Sequence, residues 1–202
     1  MPTADPRIAF FDHLASTWDE EEQNSAETLQ RLEGLGDLLA LRSGEDLLEV
    51  GCGTGQLTAW LADRVQPGRV TAIDFSEAMI EKASTKGGGE FRVADVCDGD
   101  LGEAAHDVAL CFHSFPHFRD QAAALKNLAR CLKPGGRLIV MHLCGRDAIN
   151  AFHGNVGGAV GADFLPDDER WDVWLAEAGL DVVRRIDRED LFFLQANRSA
   201  GL

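Results

Sequence analysis

Apolar residues recur at helical spacing in two stretches near the start of the chain. Across residues 7–22, Ile8, Phe11, Leu14, Ala15 and Trp18 fall on one side of a helix. A second helix is expected from Asn24 as its cap, with Glu27 at the third helical position and Leu29, Leu32, Leu35, Leu38 and Leu39 along one side. The pattern then changes. Runs at 46–50, 69–73, 90–94, 107–112 and 137–143 are short, apolar and closed by glycine, acid or polar residues, as strands are. Helical patterns lie between several of them. Leu57, Leu61 and Val65 carry one, residues 78–83 behind the cap Ser76 another, and Leu125, Leu128 and Leu132 a third that stops at Pro134-Gly135-Gly136.

Strand and helix in alternation predict a parallel sheet with helices on both faces. The end of the chain departs from that rhythm. Trp171, Trp174, Leu175 and Ala178 form an amphipathic helix ended by Gly179. Two strand-like runs follow, 180–186 and 191–196, joined by only Asp187-Arg188-Glu189-Asp190. So short a connection suits antiparallel neighbours. The expected fold class is therefore α/β, a doubly wound Rossmann-like sheet, mostly parallel with one antiparallel C-terminal strand, behind an N-terminal helical cap.

With 202 residues, 45% of them apolar and 26% charged, the chain is most simply one globular domain with a substantial core. Its formal net charge of -15 argues against a grip on DNA, RNA or an anionic membrane, which needs basic surface. A nucleotide-like ligand held by backbone amides and carboxylates stays compatible with it. The opening MPTADPRIAFF lacks the basic region and long apolar run of a signal peptide, and no uncharged apolar stretch is long enough to span a bilayer. A cytoplasmic protein is expected. Five cysteines, an odd number with no CxxC spacing, indicate reduced buried thiols rather than disulfides or a zinc knuckle.

One stretch bears on chemistry, LLEVGCGTGQL at 47–57. The strand ending at Val50 delivers Gly51, Gly53 and Gly55 into a strand-to-helix turn, where glycine lets the backbone turn sharply and a ligand press against it. The next strand ends at Asp74, an acid placed to bond ribose hydroxyls. The spacing GxGxG is not the dinucleotide GxGxxG, since Gln56 stands where the last glycine belongs, and no GK[ST] follows for a P-loop. Glu49, just ahead of the glycines, suits a ligand bearing an ammonium and a sulfonium rather than phosphates.

These residues resemble the class I S-adenosylmethionine-dependent methyltransferases, of the small-molecule, quinone-biosynthesis type. LLEVGCGTGQL resembles their first motif, VTAIDFSEAMI at 70–80 the second, FRVADV at 91–96 the third, and LARCLKPGGRLIVM at 128–141 the stretch leading into strand 5. The four come in order and cover roughly residues 40–145. The resemblance implies a seven-stranded sheet with a reversed last strand, in a single domain 1–202. Within it, 1–40 forms the helical cap, 41–145 the cofactor-binding core, and 146–202 a lid loop, helix and antiparallel strands. It implies S-adenosyl-L-methionine as cofactor, bound by Glu49, Gly51, Gly53, Asp74, Phe75, Met79, Asp95, Val96 and Phe112. Asp74 would take both ribose hydroxyls, Asp95 the adenine amino group and the Val96 amide the adenine ring, with Met79 over the base.

Acceptors in this fold sit outside the ends of strands 4 and 5, which directs attention to CFHSFPHF and MHLCGRDAINAFHGN. Four of the six histidines lie there: His113, His117, His142 and His153. Imidazole suits a general base near neutrality, and His153, His142 and His113 are the candidates, with His117 expected to pack or cap. No metal site is expected. Residues 152–166, rich in glycine, read as a mobile lid, and Phe11, His13, Leu14 and Trp18 are expected to face the acceptor. The sequence has no tyrosine, which removes one usual base. The expected function is methyl transfer to a small molecule by a monomer or homodimer, without nucleic-acid or membrane partners. The alternatives are a non-catalytic S-adenosylmethionine-binding protein and an NAD-dependent oxidoreductase, the latter disfavoured by GxGxG and the reversed strand.

Overall fold

A computed structural model describes residues 5–22, 25–35 and 37–199. The chain folds as two compact units, Met1–Ala94 and Asp95–Leu202. Among the described residues the first unit carries three strands and the second four.

The first unit opens with α1 (Pro6–Leu14), capped by the Asp5 carboxylate, which accepts from the Arg7 amide at 3.0 Å. The long helix expected over 7–22 is broken. Thr17 N bonds Leu14 O and Glu20 N bonds Thr17 O, tight turns that Ser16 and Thr17 favour, and Trp18–Glu22 forms a π-helical turn. The next helix, α2, spans Ser25–Gly34; its expected cap Asn24 lies outside the described residues. Leu38 and Leu39 fall in a turn beyond it, where Leu39 is still buried.

Then come β1 (Leu47–Val50), α3 (Thr58–Val65), β2 (Val70–Asp74), α4 (Glu77–Lys86) and β3 (Glu90–Val93). The three strands are parallel, with Leu47 opposite Val70 and Thr71 opposite Glu90. Every residue of β1 is buried, as a strand covered on both faces requires. Ser76 caps α4 as expected, its hydroxyl accepting from the Met79 amide at 3.1 Å.

The second unit carries β4 (His106–Phe112), α5 (Gln121–Cys131), β5 (Leu132–His142), α6 (Arg146–Val156), α7 (Asp168–Ala178), β6 (Leu180–Arg188) and β7 (Leu191–Arg198). Strand β5 is longer than the apolar run foretold and includes Pro134-Gly135-Gly136, so α5 stops at Cys131 rather than at that tripeptide. β5 lies parallel to β4 and antiparallel to β7, and β7 pairs on its other side with β6, also antiparallel. The reversed strand is thus β7. Helix α7 ends at Gly179 in the left-handed region, φ 73°. Trp171 is fully buried, its ring 4.5 Å from that of Phe115 and stacked on Phe192 at 6.2 Å.

Asn127 braces the start of this unit from α5, donating to the carbonyls of Val96 and Gly99, each at 2.9 Å. Asn127→Ala would strand two carbonyls in a buried place. It is expected to lower unfolding free energy by about 1–2 kcal/mol, as read by denaturant titration. No helix among the described residues is long and apolar enough to cross a membrane.

Candidate active site

At the end of β1 the backbone takes the left-handed region at Gly51, Gly53 and Gly55. The glycines serve different ends. A Cβ on Gly55 would stand 3.0 Å from the Ala83 Cβ and 3.2 Å from its Cα, so this glycine lets α4 pack on the turn. Among the described residues, a Cβ on Gly53 would meet only the Trp18 Nε1, at 3.6 Å. That position has room, and its surface is open to a ligand.

Two acids stand behind the turn. Glu49 is 3% exposed and accepts the Thr58 hydroxyl at 2.6 Å. Burial, with the Asp74 carboxylate adding to it, pushes its carboxyl up to about 7 against the pull of the Thr58 bond. Asp74, 7% exposed, accepts from the Gly53 amide with one oxygen and from the Ser76 amide with the other, each at 2.9 Å. It therefore fastens the turn to the end of β2. The bonds described for both acids come from neutral donors. A buried carboxylate poised near 7 is what a cationic ligand would draw into its ionised form, and the turn at Gly53 leaves room for a ligand to lie on backbone. These residues fit S-adenosyl-L-methionine.

The other expected positions divide. Phe75 is half-buried with its ring 5.7 Å from that of Phe11. Met79 is 1% exposed and packs inside the first unit, so its side chain offers little surface to a ligand. In the second unit, Asp95 accepts from the Cys97 amide at 2.8 Å and from Arg119 Nε at 2.7 Å. Burial would raise its carboxyl, but the Cys97 amide and Arg119 outweigh this and hold it below the ordinary range. Arg119 also reaches Asp98 at 2.5 Å. Val96 is buried and Phe112, the last residue of β4, half-buried.

The N-terminal segment supplies residues that the sequence did not single out. Asp12 accepts from the Ser76 hydroxyl at 2.5 Å, at the start of α4. Asp19 accepts from the Thr54 hydroxyl, from Gln56 Nε2 at 2.7 Å and from Lys86 Nζ at 2.5 Å. Two carboxylates thus tie this segment to the glycine turn and to the two ends of α4. Asp19 sits in an acidic run, which as sequence reads only as solvated surface. Of the residues expected to face an acceptor, Phe11 is buried against Trp18 and Phe75, and His13 is exposed.

The second unit gathers the four histidines. His113, at φ 55°, follows the tip of β4, and its Nε2 accepts from the Leu143 amide at 3.2 Å. Its ring lies 5.1 Å from that of His142, which is 2% exposed with no hydrogen-bond partner on Nε2 among the described residues. Burial, then the neighbouring His113, His117 and His153, depress the His142 pKa well below its ordinary value. That imidazole holds a proton poorly. His153 is not in a loop. It lies in the last turn of α6, 6% exposed, because the helix continues through Gly154 and closes only at Gly157, φ 65°. Its pKa is lowered by burial and His117, while a backbone hydrogen bond and the charge of Asp163 push upward.

The remaining part of the expected lid is fastened. Asn150 donates to the Leu165 carbonyl at 3.1 Å and accepts its amide at 2.8 Å, and Gln121 donates to the Phe164 carbonyl at 2.9 Å. His117 proves to be more than packing. Its Nδ1 lies 2.8 Å from a carboxylate oxygen of Asp163, which is 1% exposed, and its ring lies 4.9 Å from that of His153. Among the described residues, no group of three or more His, Cys, Asp or Glu is placed to hold a metal ion.

The chain is similar to known proteins. Residues 48–140 match a family model described as a methyltransferase domain. The O-methyltransferase cnsE of Penicillium expansum is 35% identical over 140 residues, covering 65% of this chain and 50% of that protein. The 27-O-demethylrifamycin SV methyltransferase of Amycolatopsis mediterranei is 33% identical over 129 residues, 60% of this chain and 47% of that one. The chain spans about half the length of these curated relatives. A solved S-adenosylmethionine-dependent methyltransferase from Aquifex aeolicus shares the fold, with a TM-score of 0.64 at 22% identity over 97% of this chain and 100% of that one. The matched residues run from the glycine turn through Asp74 and Asp95 into β5, a methyltransferase domain like that of the class I S-adenosylmethionine-dependent methyltransferases.

Proposed function

We propose that this protein transfers a methyl group from S-adenosyl-L-methionine to a hydroxyl of a small molecule. The observation that carries the reading is the buried Glu49 carboxylate, raised to about 7, behind an open backbone cradle at Gly53. When bound, S-adenosylmethionine supplies a methyl carried on a sulfonium and leaves as S-adenosylhomocysteine. Glu49 holds the ammonium, the Gly51 and Gly53 backbone the methionine part, and Asp74 the ribose hydroxyls, with Phe75 beside them. The family resemblance gives the adenine to Asp95, Val96 and Phe112, and leaves Met79 as packing beneath. The naming of two relatives as O-methyltransferases, or by the O-demethyl compound they act on, favours oxygen as the acceptor atom. His153, His142 and His113 stand as acceptor-side groups. Of these, His153 is best suited to take a proton, because His142 is wholly buried and His113 is engaged with Leu143.

The net charge of -15 supports a protein without nucleic-acid or membrane partners, cytoplasmic and working as a monomer or homodimer. Calorimetry with S-adenosylmethionine, S-adenosylhomocysteine and NAD tests the cofactor, and a screen of acceptors with methyl-labelled donor tests transfer. Binding of NAD in preference to the other two would overturn the reading. Binding of S-adenosylmethionine with no transfer to any acceptor would turn it to a non-catalytic binder.

Asp74→Ala is expected to weaken S-adenosylmethionine roughly 10- to 100-fold, the loss of charge-assisted hydrogen bonds. Because Asp74 also bonds two backbone amides, the melting temperature should fall in the same protein. Unchanged affinity in a folded variant would put the ribose elsewhere.

A further inference from the structure

Trp18 stands at the glycine turn, half-buried. Its Nε1 lies 3.6 Å from the place a Gly53 Cβ would take, the nearest described atom to that open position. The ring is held from several sides. It sits 5.8 Å from the ring of Phe11, which lies 5.7 Å from that of Phe75, each pair edge to face. The next residue, Asp19, bonds Thr54, Gln56 and Lys86, and Asp12 bonds Ser76. An indole N–H can only donate, and no hydrogen bond among the described residues engages this one.

The turn's own backbone has little to offer an anion. The Gly51 and Cys52 amides donate to the Ile73 carbonyl at 2.8 and 3.0 Å, the Gly53 amide to Asp74 at 2.9 Å, and the Gly55 amide to the Cys52 carbonyl at 2.9 Å. Behind the turn stand two buried acids, Glu49 and Asp74. S-Adenosylmethionine carries an ammonium and a carboxylate on one carbon. The acids attract the first and repel the second, so the carboxylate must turn away from them and needs a donor on the open side of the turn. Trp18 supplies one there.

We propose that Trp18 is a cofactor-binding residue whose indole N–H donates to the carboxylate of S-adenosylmethionine. The proposal rests on the cofactor reading above and deepens it. Trp18 then serves the cofactor and not the acceptor it was expected to face. Its contact with Phe11 and the bonds of Asp19 keep the N–H over Gly53. The site selects for an adenosyl compound with an intact amino-acid group.

Trp18→Phe tests this, because it keeps an aromatic ring beside Phe11 and removes the N–H. Calorimetry compares S-adenosylmethionine with its decarboxylated analogue, which keeps the ammonium and the sulfonium and lacks only the carboxylate. The variant should bind S-adenosylmethionine roughly 10- to 100-fold more weakly than the parent does, the loss of a hydrogen bond to a charged group. Parent and variant should bind the decarboxylated analogue within about threefold of each other. Equal losses for both ligands, or an unchanged Kd for S-adenosylmethionine, overturn the proposal and leave the cofactor reading standing. NMR of the parent with nitrogen-labelled tryptophan is the second measurement. S-Adenosylmethionine should move the Trp18 indole N–H resonance downfield, and the decarboxylated analogue should not. A resonance that both ligands move alike, or that neither moves, overturns the proposal even where Trp18→Phe fails to fold. A parent that binds neither ligand overturns the cofactor reading, and the role of Trp18 with it.

Discussion

Gly53→Val is expected to weaken S-adenosylmethionine by at least about 1,000-fold in Kd, or about 4 kcal/mol. Two effects add. The backbone at φ 54° lies where a β-branched residue is strained, at roughly 1–3 kcal/mol. The valine methyls would also fill the open side of the turn, where the only described neighbour within 4 Å of a Cβ is the Trp18 Nε1. Gly53→Ala separates the two. Its single methyl stays at ordinary contact distance from Trp18, so it brings mainly strain and should weaken binding about tenfold. Calorimetry on both variants, with thermal melts to confirm folding, reads the difference. A valine variant with the parent's Kd would show that the ligand does not lie on this turn.

Glu49→Gln should move stability and affinity in opposite directions. Folded, Glu49 titrates at about 7 against an ordinary 4.5. Between those values the folded chain keeps a proton that the unfolded chain has released, so this group lowers stability as pH rises through the window. Above pH 7 the deficit is complete, about 3 kcal/mol. Glutamine has no proton to lose and still accepts the Thr58 hydroxyl. The unliganded variant should therefore exceed the parent by about 3 kcal/mol at pH 8 and by little near pH 4.5. Its affinity should nonetheless fall roughly 100-fold, since the ligand ammonium loses its charged partner. In the parent, affinity should weaken below pH 7, where Glu49 must shed a proton to bind a cation. Denaturant titrations at pH 5 and 8, with calorimetry at both, settle the matter. A pH-independent difference in stability would mean that Glu49 is not ionising in the fold, and unchanged affinity would remove it from the ammonium.

What the sequence disclosed was mostly local. Alternating strands and helices, the cap at Ser76 and the glycine turn depend on residues a few positions apart, and each stands where its pattern put it. The misreadings came where one local signal competed with another. Glycines after Phe152 read as a loop, yet Gly154 sits in the last turn of α6 with nothing within 4 Å of a Cβ, so the helix bears it lightly. The apolar spacing from Ile8 to Trp18 reads as one helix, yet Ser16 and Thr17 turn the chain before Asp19 reaches Thr54. Pairings across distance were out of reach. His117 and Asp163 are 46 residues apart, and nothing near either one announces the other. The same holds for Asp12 and Ser76, 64 apart.

Strand β7 comes after β6 in the chain but lies between β5 and β6 in the sheet. During synthesis β6 therefore leaves the ribosome with its only described ladder partner not yet made. Until 191–198 emerges, β5 shows an open edge at Arg137–His142 and β6 a loose one, each a template for another chain. In the finished unit β7 closes both ladders at once, and among the described residues β6 joins the sheet only through it. A substitution that slows β7 would lengthen the interval during which both edges stand bare, and its first symptom would be aggregates in newly made protein rather than a lower melting temperature in the finished one.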